Sequence, residues 1–439
     1  MDHSINYKHK IDFLLSNNTS LSQPTQTTIK PKRKIKILCN ECNKKRTTLD
    51  DSHQICHVCY KTKTLFKPSG NKVIDDFIRH SQINYVKEDG KMEFVPYDQF
   101  KNIEFIAEGG FSKIFKATWI DGPKNNWSKK KQSYSREQNY AVVLKKLNNS
   151  KDIKSKDLNE LKIFHEFSSK TNSSWVCNYF GITQDPNTQE IMIIMRYYQS
   201  GDLINYLTNG FFNIEWHNKL VNLSIISSGL KNIHSINILH RDLHSGNIFF
   251  NYFTEPVIGD LGISKSATES TDDNENYGII PYMAPEIFQG QKYAKASDIY
   301  SFGMIMWEFM TGRRPFWDRN HDIELIIEIC DGLRPPIVTN APEGYIDLMK
   351  ECWHSDPNKR PTAITLGNKI EKMRIKEPYN RESKASTKIK PSLDIGPVKI
   401  NNPGAIYKSR PLSGMIRSAM STMSTRSLIS RSIISEVGK

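Results

Sequence analysis

No stretch of this 439-residue chain approaches the roughly 18 apolar residues a membrane helix needs; the longest candidates, Ile191–Met195 and Phe302–Met310, are far shorter. Near the start, only Ile11–Leu15 forms an apolar patch, and no small-residue cleavage signature follows it, so no secretory leader is expected. Cysteine is scarce and odd in number, 7 in all. That argues against a disulfide framework and for a reducing compartment. Internal repeats are lacking. The expectation is a cytoplasmic protein without membrane partners. Basic ends leave nuclear entry open, but Lys32-Arg-Lys34 is short for an import signal.

A chain-wide excess of positive charge is also lacking, although the net charge is +14. Residues 1–70 carry +8 and residues 374–439 carry +9, which leaves −3 for the large middle. A polycation that coats phosphate backbones along its length is therefore excluded. With 38% hydrophobic and 25% charged residues, the chain can build a core and still carry polar segments.

The composition divides the chain. Residues 1–30 are rich in Asn, Ser, Thr and Gln and are expected to be disordered. Residues 31–67 hold two cysteine pairs. Residues 68–99 form a linker, with a short amphipathic helix over Gly70–His80 and a strand over Met92–Tyr97. The main domain spans about 100–373, and Asp121–Asn139 interrupts it as a long exposed loop. Residues 374–439 are basic and rich in Ser and Thr, with too few aliphatic residues for a core, and are expected to be a disordered tail.

Cys39-x-x-Cys42 and Cys56-x-x-Cys59 are two tight turns separated by 13 residues. Each presents two sulfurs, and together they suit a tetrahedral, structural zinc site of zinc-ribbon type. All four positions are filled by protein, so such a metal would hold a fold together and activate no water. His53 and His57 are not needed as ligands. The segment has almost no apolar core, so metal binding and folding should be one event. Lys44, Lys45 and Arg46 could attract phosphate, although nothing in the sequence specifies nucleic acid.

In the main domain, Ile106-Ala-Glu-Gly109-Gly110-Phe-Ser112-Lys-Ile114 reads as a hairpin whose amides approach phosphate closely. Tyr140-Ala-Val-Val143-Leu-Lys145 reads as a strand ending on a lysine, which needs a counter-charge; Glu160, on the following helical segment, can supply it. Then come His240-Arg-Asp242-Leu-His-Ser-Gly-Asn247 and Val257-Ile-Gly-Asp260-Leu-Gly262. Asn247 and Asp260 offer the hard oxygen ligands Mg²⁺ prefers, and Asp242 is free to orient a hydroxyl and take its proton. A metal, a positioned base and a cationic clamp are what phosphoryl transfer requires.

These motifs resemble the eukaryotic protein kinase superfamily. So do Pro281-Tyr-Met-Ala-Pro-Glu286, Ser297-Asp298-Ile-Tyr-Ser-Phe-Gly303 and Cys352-Trp353 with Asp356-Pro-Asn-Lys-Arg360-Pro. The resemblance implies an α+β, bilobal fold with a small β-rich lobe and a larger helical lobe. It implies Asp242 as base, Lys145 as phosphate clamp, Glu160 as its partner, and Asn247 and Asp260 as magnesium ligands. ATP would lie among Ile106, Gly109, Gly110, Ser112, Ile114, Val143, Lys145, Met195 and Tyr198, with Met195 the gatekeeper and Arg196-Tyr197-Tyr198 the hinge. Glu286 should pair with Arg360, and Asp298 should brace the catalytic loop. The phrases HRDLHSGN and SDIYSFGMIMWE are similar to the tyrosine-kinase-like group. The residues preceding the domain resemble expanded fungal kinase sets with a zinc-knuckle region.

The pattern has departures. Ala107 and Ser112 stand at two family glycine positions, Val143 at the usual Ala, Leu261 at the usual Phe, and Ile279 at the usual Thr of serine/threonine kinases. Serine or threonine is the expected acceptor in a protein substrate, within signal transduction. Ser266, Thr268, Ser270, Thr271 and Tyr277 are candidate phosphorylation sites that Arg241 could read. The tail's Arg417-Ser, Arg426-Ser and Arg431-Ser pairs are further candidates. Two alternatives remain at this point: a pseudokinase scaffold, and a zinc-ribbon module for nucleic acid or protein regulated by the kinase domain.

Overall fold

The computed structural model describes residues 37–46, 54–84, 92–110, 112–128, 133–171, 175–251, 255–267, 276–379, 386–389, 391–398 and 400–437. The chain divides into two units, Met1–Lys61 and Thr62–Lys439. Residues 1–30, Lys32-Arg-Lys34 and His53 lie outside the described residues, as do Thr268, Ser270 and Thr271.

In the first unit, Ile37–Leu38 pairs antiparallel with Lys45–Arg46, and the turn between them carries Cys39 and Cys42. Asn43 closes that turn at φ 52°, a left-handed conformation that Asn tolerates better than most residues. Cys59 lies at the start of the helix His57–Leu65.

In the second unit, the helix Lys72–Asn84 buries Ile74, Phe77 and Ile78 at helical spacing. A six-stranded sheet follows, in the spatial order Glu93–Phe94, Tyr179–Gln184, Ile191–Arg196, Tyr140–Leu147, Ser112–Trp119 and Phe100–Glu108. All neighbours are antiparallel except Glu93–Phe94, which runs parallel to Tyr179–Gln184. Alternation on the pleat sends Val142 and Leu144 into a core with Trp119, Met192 and Ile194. Val143 and Lys145 are thereby left on the opposite face.

Helices build the rest. Lys295–Thr311 is buried continuously from Ser297 to Thr311, as its apolar composition on all sides requires. It stops at Gly312, whose φ of 72° makes a left-handed cap, and a Cβ there would meet the Phe211 ring at 2.7 Å. Trp216–Ser235 packs on Ala363–Lys376, which Thr362 caps by accepting from the Thr365 N–H.

Two segments differ from expectation. The presumed loop at 121–139 contains a hairpin, Lys124–Ser128 against Ser133–Arg136. Its cations are not simply solvated: Lys124 and Arg136 both reach Glu93 Oε2, at 2.9 and 2.7 Å. Part of the segment 374–439 is placed as well. The helix Ala363–Lys376 crosses its boundary, Arg410–Pro411 forms a ladder, and Ser413–Val437 is helical. The aliphatic residues are few, as the composition says. However, Leu412, Ile416 and Ala419 recur at helical spacing and all three are buried.

Candidate active site

Lys145 is placed by its strand at the inner face of the sheet, where Ile193 lies opposite on one side and Ile114 on the other. The helix Asn159–Lys170 brings up Glu160, and Lys145 Nζ donates to Glu160 Oε2 at 2.8 Å. It donates equally closely, at 2.8 Å, to Asp260 Oδ1, from a residue 115 positions away. Burial draws the lysine's pKa down, but the two carboxylates outweigh it and hold the ammonium charged well above its ordinary range. Asp260 responds in the opposite sense. Burial raises it, and Lys145 more than offsets this, so it stays ionised below the usual carboxylate range. Glu160 is raised, because burial and the nearby Asp260 outweigh Lys145.

Asp260 has φ 52°, and its Oδ1 also accepts the Gly262 N–H at 3.2 Å. No hydrogen bond to its Oδ2 occurs among the described residues. Asn247 donates through Nδ2 to the Asp242 carbonyl at 2.9 Å, which leaves its Oδ1 as an available acceptor. Two uncommitted hard oxygens are therefore brought together from either side of the antiparallel pair Ile248–Phe250 and Pro256–Ile258, a donor set that fits Mg²⁺.

The loop bearing Asp242 is fixed from behind. Asp298 accepts the N–H groups of His240 and Arg241, each at 2.9 Å, and pairs with His234 Nε2 at 2.8 Å. His240 in turn contacts the Gly259 carbonyl at 3.0 Å, joining the two loops. Further out, Arg360 forms a fully buried bidentate pair with Glu286, both bonds at 2.7 Å. The two pairings expected of Glu286 and Asp298 are thus both present.

Sequence reasoning missed several supports. Tyr179 donates its hydroxyl to Glu160 Oε1 at 2.7 Å, and Asn159 ties the same helix to the Gly262 and Ser264 carbonyls, each at 3.0 Å. His244 accepts the Gly246 N–H on Nδ1 at 3.0 Å, so in its neutral form the proton sits on Nε2, which is 3.7 Å from Asp242 Oδ2. Nothing in the local sequence signals Tyr179 or Asn159. His244 could have been noticed from its spacing to Asp242.

The expected nucleotide slot is assembled from the same sheet. Gly109 N–H donates to the Ser112 carbonyl at 2.7 Å and closes the turn, and Ser112 is buried within it. Val143 pairs with Met195 across the strands, beneath a half-buried Ile114. Ile106 is 48% exposed, away from the core. Tyr198 is buried and its ring stacks on Phe249, with centroids 5.9 Å apart. Of the activation-segment hydroxyl residues, Ser266 and Tyr277 are described. Arg241 lies over the Tyr293 ring, 4.7 Å from its centroid.

In the first unit the four cysteine sulfurs all lie within 4.8 Å of one another. Cys39, Cys56 and Cys59 are buried, and Cys39 Sγ accepts the Cys56 N–H at 3.2 Å. Burial raises the Cys39 thiol, but N–H groups of Cys56, Cys42 and Glu41 outweigh it and bring it to about 6. A sulfur cage ringed by amide donors fits a thiolate-bound metal.

A two-lobed fold with a lysine clamp, paired oxygen ligands and a braced aspartate defines a phosphoryl-transfer domain. The chain belongs to the protein tyrosine and serine/threonine kinase family, which it matches over residues 100–370. It is 28% identical over 285 residues to a probable serine/threonine-protein kinase of Dictyostelium discoideum, covering 63% of this chain and 20% of that protein. The dual specificity protein kinase pyk3 of the same organism is 28% identical over 291 residues, covering 65% of this chain and 19% of pyk3. The chain thus spans no more than a fifth of the length of these relatives. No helix among the described residues is long and apolar enough to cross a membrane.

Proposed function

We propose that this protein is an ATP- and Mg²⁺-dependent protein kinase that transfers the terminal phosphate of ATP to serine or threonine hydroxyls of a protein substrate. The observation that carries this reading is Lys145 Nζ at 2.8 Å from both Glu160 and Asp260, which brings a strand, the helix after it and a loop 115 positions away to one point. Family membership supports it, as do the names of the relatives, a probable serine/threonine-protein kinase and a dual specificity protein kinase. The tyrosine-kinase-like subgroup is supported by HRDLHSGN and SDIYSFGMIMWE.

Asp260 Oδ2 and Asn247 Oδ1 would hold Mg²⁺, which when bound neutralises developing phosphate charge. Lys145, held in place by Glu160, presents its ammonium to the phosphates. Tyr179 fixes Glu160 so that the clamp is preorganised. Asp242 orients the incoming hydroxyl and accepts its proton, with its loop immobilised by Asp298. The hinge Arg196–Tyr198 recognises adenine through its main chain. We assign a structural zinc to Cys39, Cys42, Cys56 and Cys59, and a cytoplasmic location to the whole.

The test is transfer of labelled terminal phosphate from ATP to casein by wild type and by Asp242→Asn. Acid hydrolysis of the product then identifies the labelled residue. Transfer that depends on Asp242 and yields phosphoserine or phosphothreonine is expected. Equal incorporation by the two proteins would overturn the reading.

A further inference from the structure

The segment from Gly404 to Ser413 is held along its length by the helical lobe. His321 donates its N–H to the Gly404 carbonyl at 2.8 Å, Tyr407 its hydroxyl to the Pro315 carbonyl at 2.9 Å, and Arg410 Nη2 to the His321 carbonyl at 2.7 Å. Arg410–Pro411 then pairs antiparallel with Tyr277–Gly278 at the end of the activation segment, in the register Tyr277↔Pro411 and Gly278↔Arg410. The ladder extends beyond the pair: Leu412 N–H donates to the Asn276 carbonyl at 2.8 Å, and Asn276 N–H to Ser413 Oγ at 2.8 Å. Immediately afterwards Leu412, Ile416 and Ala419 are buried, packing the helix Ser413–Val437 against the helices Pro285–Phe288 and Ile323–Cys330.

Ser409 sits where this strand meets the catalytic face. Its carbonyl oxygen lies 2.6 Å from where a Cβ on Gly110 would be, so the chain passes directly against the glycine turn. Ser409 directly precedes the paired Arg410, and Ile279, which directly follows the paired Gly278, lines a small cavity together with Asp242 and Tyr282. The Ser409 hydroxyl is buried and has no hydrogen-bond partner among the described residues. Buried hydroxyls are ordinarily satisfied, so this one needs an explanation. A strand laid between the glycine turn and the activation segment, carrying an uncommitted hydroxyl, has the form of an acceptor peptide. Recognition by adding a strand to an open edge is a general mode of peptide binding.

We propose that residues 407–413 occupy the acceptor groove of their own kinase domain and that Ser409 is phosphorylated by the chain that carries it. The inference rests on the kinase reading above and deepens it. In the step, Ser409 Oγ forms a bond to the terminal phosphorus of ATP while the bond from that phosphorus to the bridging oxygen breaks. ADP leaves with the electron pair, and the hydroxyl proton passes to Asp242. Until then the strand excludes other substrates. Tethering gives it an effective concentration on the order of millimolar, enough to outcompete a dilute protein acceptor. Once made, the phosphoserine places about −1.5 to −2 charges beside Asp242 and the nucleotide phosphates, and repulsion drives the strand out.

The full chain is incubated with ATP and Mg²⁺ over a dilution series, with casein as a second acceptor, and Ser409 is followed by phosphopeptide mass spectrometry. The expected result is Ser409 modification at a rate per chain independent of dilution, absent in Ser409→Ala. A companion variant, Ile416→Asp, detaches the helix. It should raise the initial rate on casein by about tenfold while Ser409 modification falls. Casein phosphorylated while Ser409 stays unmodified overturns the inference and leaves the kinase reading standing. A Ser409 rate that falls with dilution also overturns it, because the acceptor would then belong to another copy. Neither acceptor modified overturns both. The wild-type dilution series decides the matter even if Ile416→Asp fails to fold.

Discussion

Lys145, Glu160, Asp242, Asn247 and Asp260 were legible in the sequence because their chemistry demands fixed residue types at fixed local spacings. Tyr179, Asn159 and His234 were not, since each acts through a partner that only the fold brings near. Asp242→Asn keeps the size of the side chain and removes the carboxylate proposed as the base, so transfer is expected to fall by about 10²–10⁴-fold, measured as initial rate at saturating ATP. A second prediction concerns Glu308, a fully buried carboxyl that accepts the Tyr282 hydroxyl. Burial pushes it from 4.5 up to about 7. Between those values the folded state holds more protons than the unfolded chain, so this group's contribution to stability is lost as pH rises through the window. Glu308→Gln should flatten that slope, and melting temperatures of both proteins from acid to mildly alkaline pH will show whether it does. Parallel curves for the two would contradict the assignment.

At the scale of elements, alternation and helical spacing revealed the strand Tyr140–Leu147 and the helix Lys72–Asn84, because burial on one face leaves a periodic trace. The hairpin at Lys124–Arg136 left no such trace. Its cations are anchored by Glu93, and polar composition alone reads as loop. The tail helix was hidden differently: the average aliphatic content is low, while the spacing of Leu412, Ile416 and Ala419 carries the information. The Glu286–Arg360 pair, with side chains 4% and 0% exposed, joins the end of the activation segment to the lobe's closing helices. Removing one partner strands the other charge in the interior, so Arg360→Met should destabilise the domain by about 3–5 kcal/mol in denaturant titration. The double variant Glu286→Gln with Arg360→Met should recover part of that loss.

For the whole molecule, the cysteine unit and the kinase unit are two folding problems with different solutions, a four-cysteine cluster proposed to hold zinc and an apolar core. Purified protein should contain about one zinc ion per chain, and a strong chelator should unfold residues 37–61 while the main melting transition persists. Metal analysis together with proteolysis of that segment checks this, and a zinc-free protein with an unchanged digestion pattern would contradict it. The account as a whole depends on a magnesium–nucleotide site assembled from the lysine, the two carboxylates and the asparagine. Its most direct test is the dependence of ATP binding on Mg²⁺, read as thermal protection. At 100 times the dissociation constant, wild type should gain about 2.7 kcal/mol of stability from ATP with Mg²⁺. Asp260→Asn should lose the magnesium-dependent part of that gain, and Lys145→Met most of it. Protection of the same size in all three proteins would contradict the account.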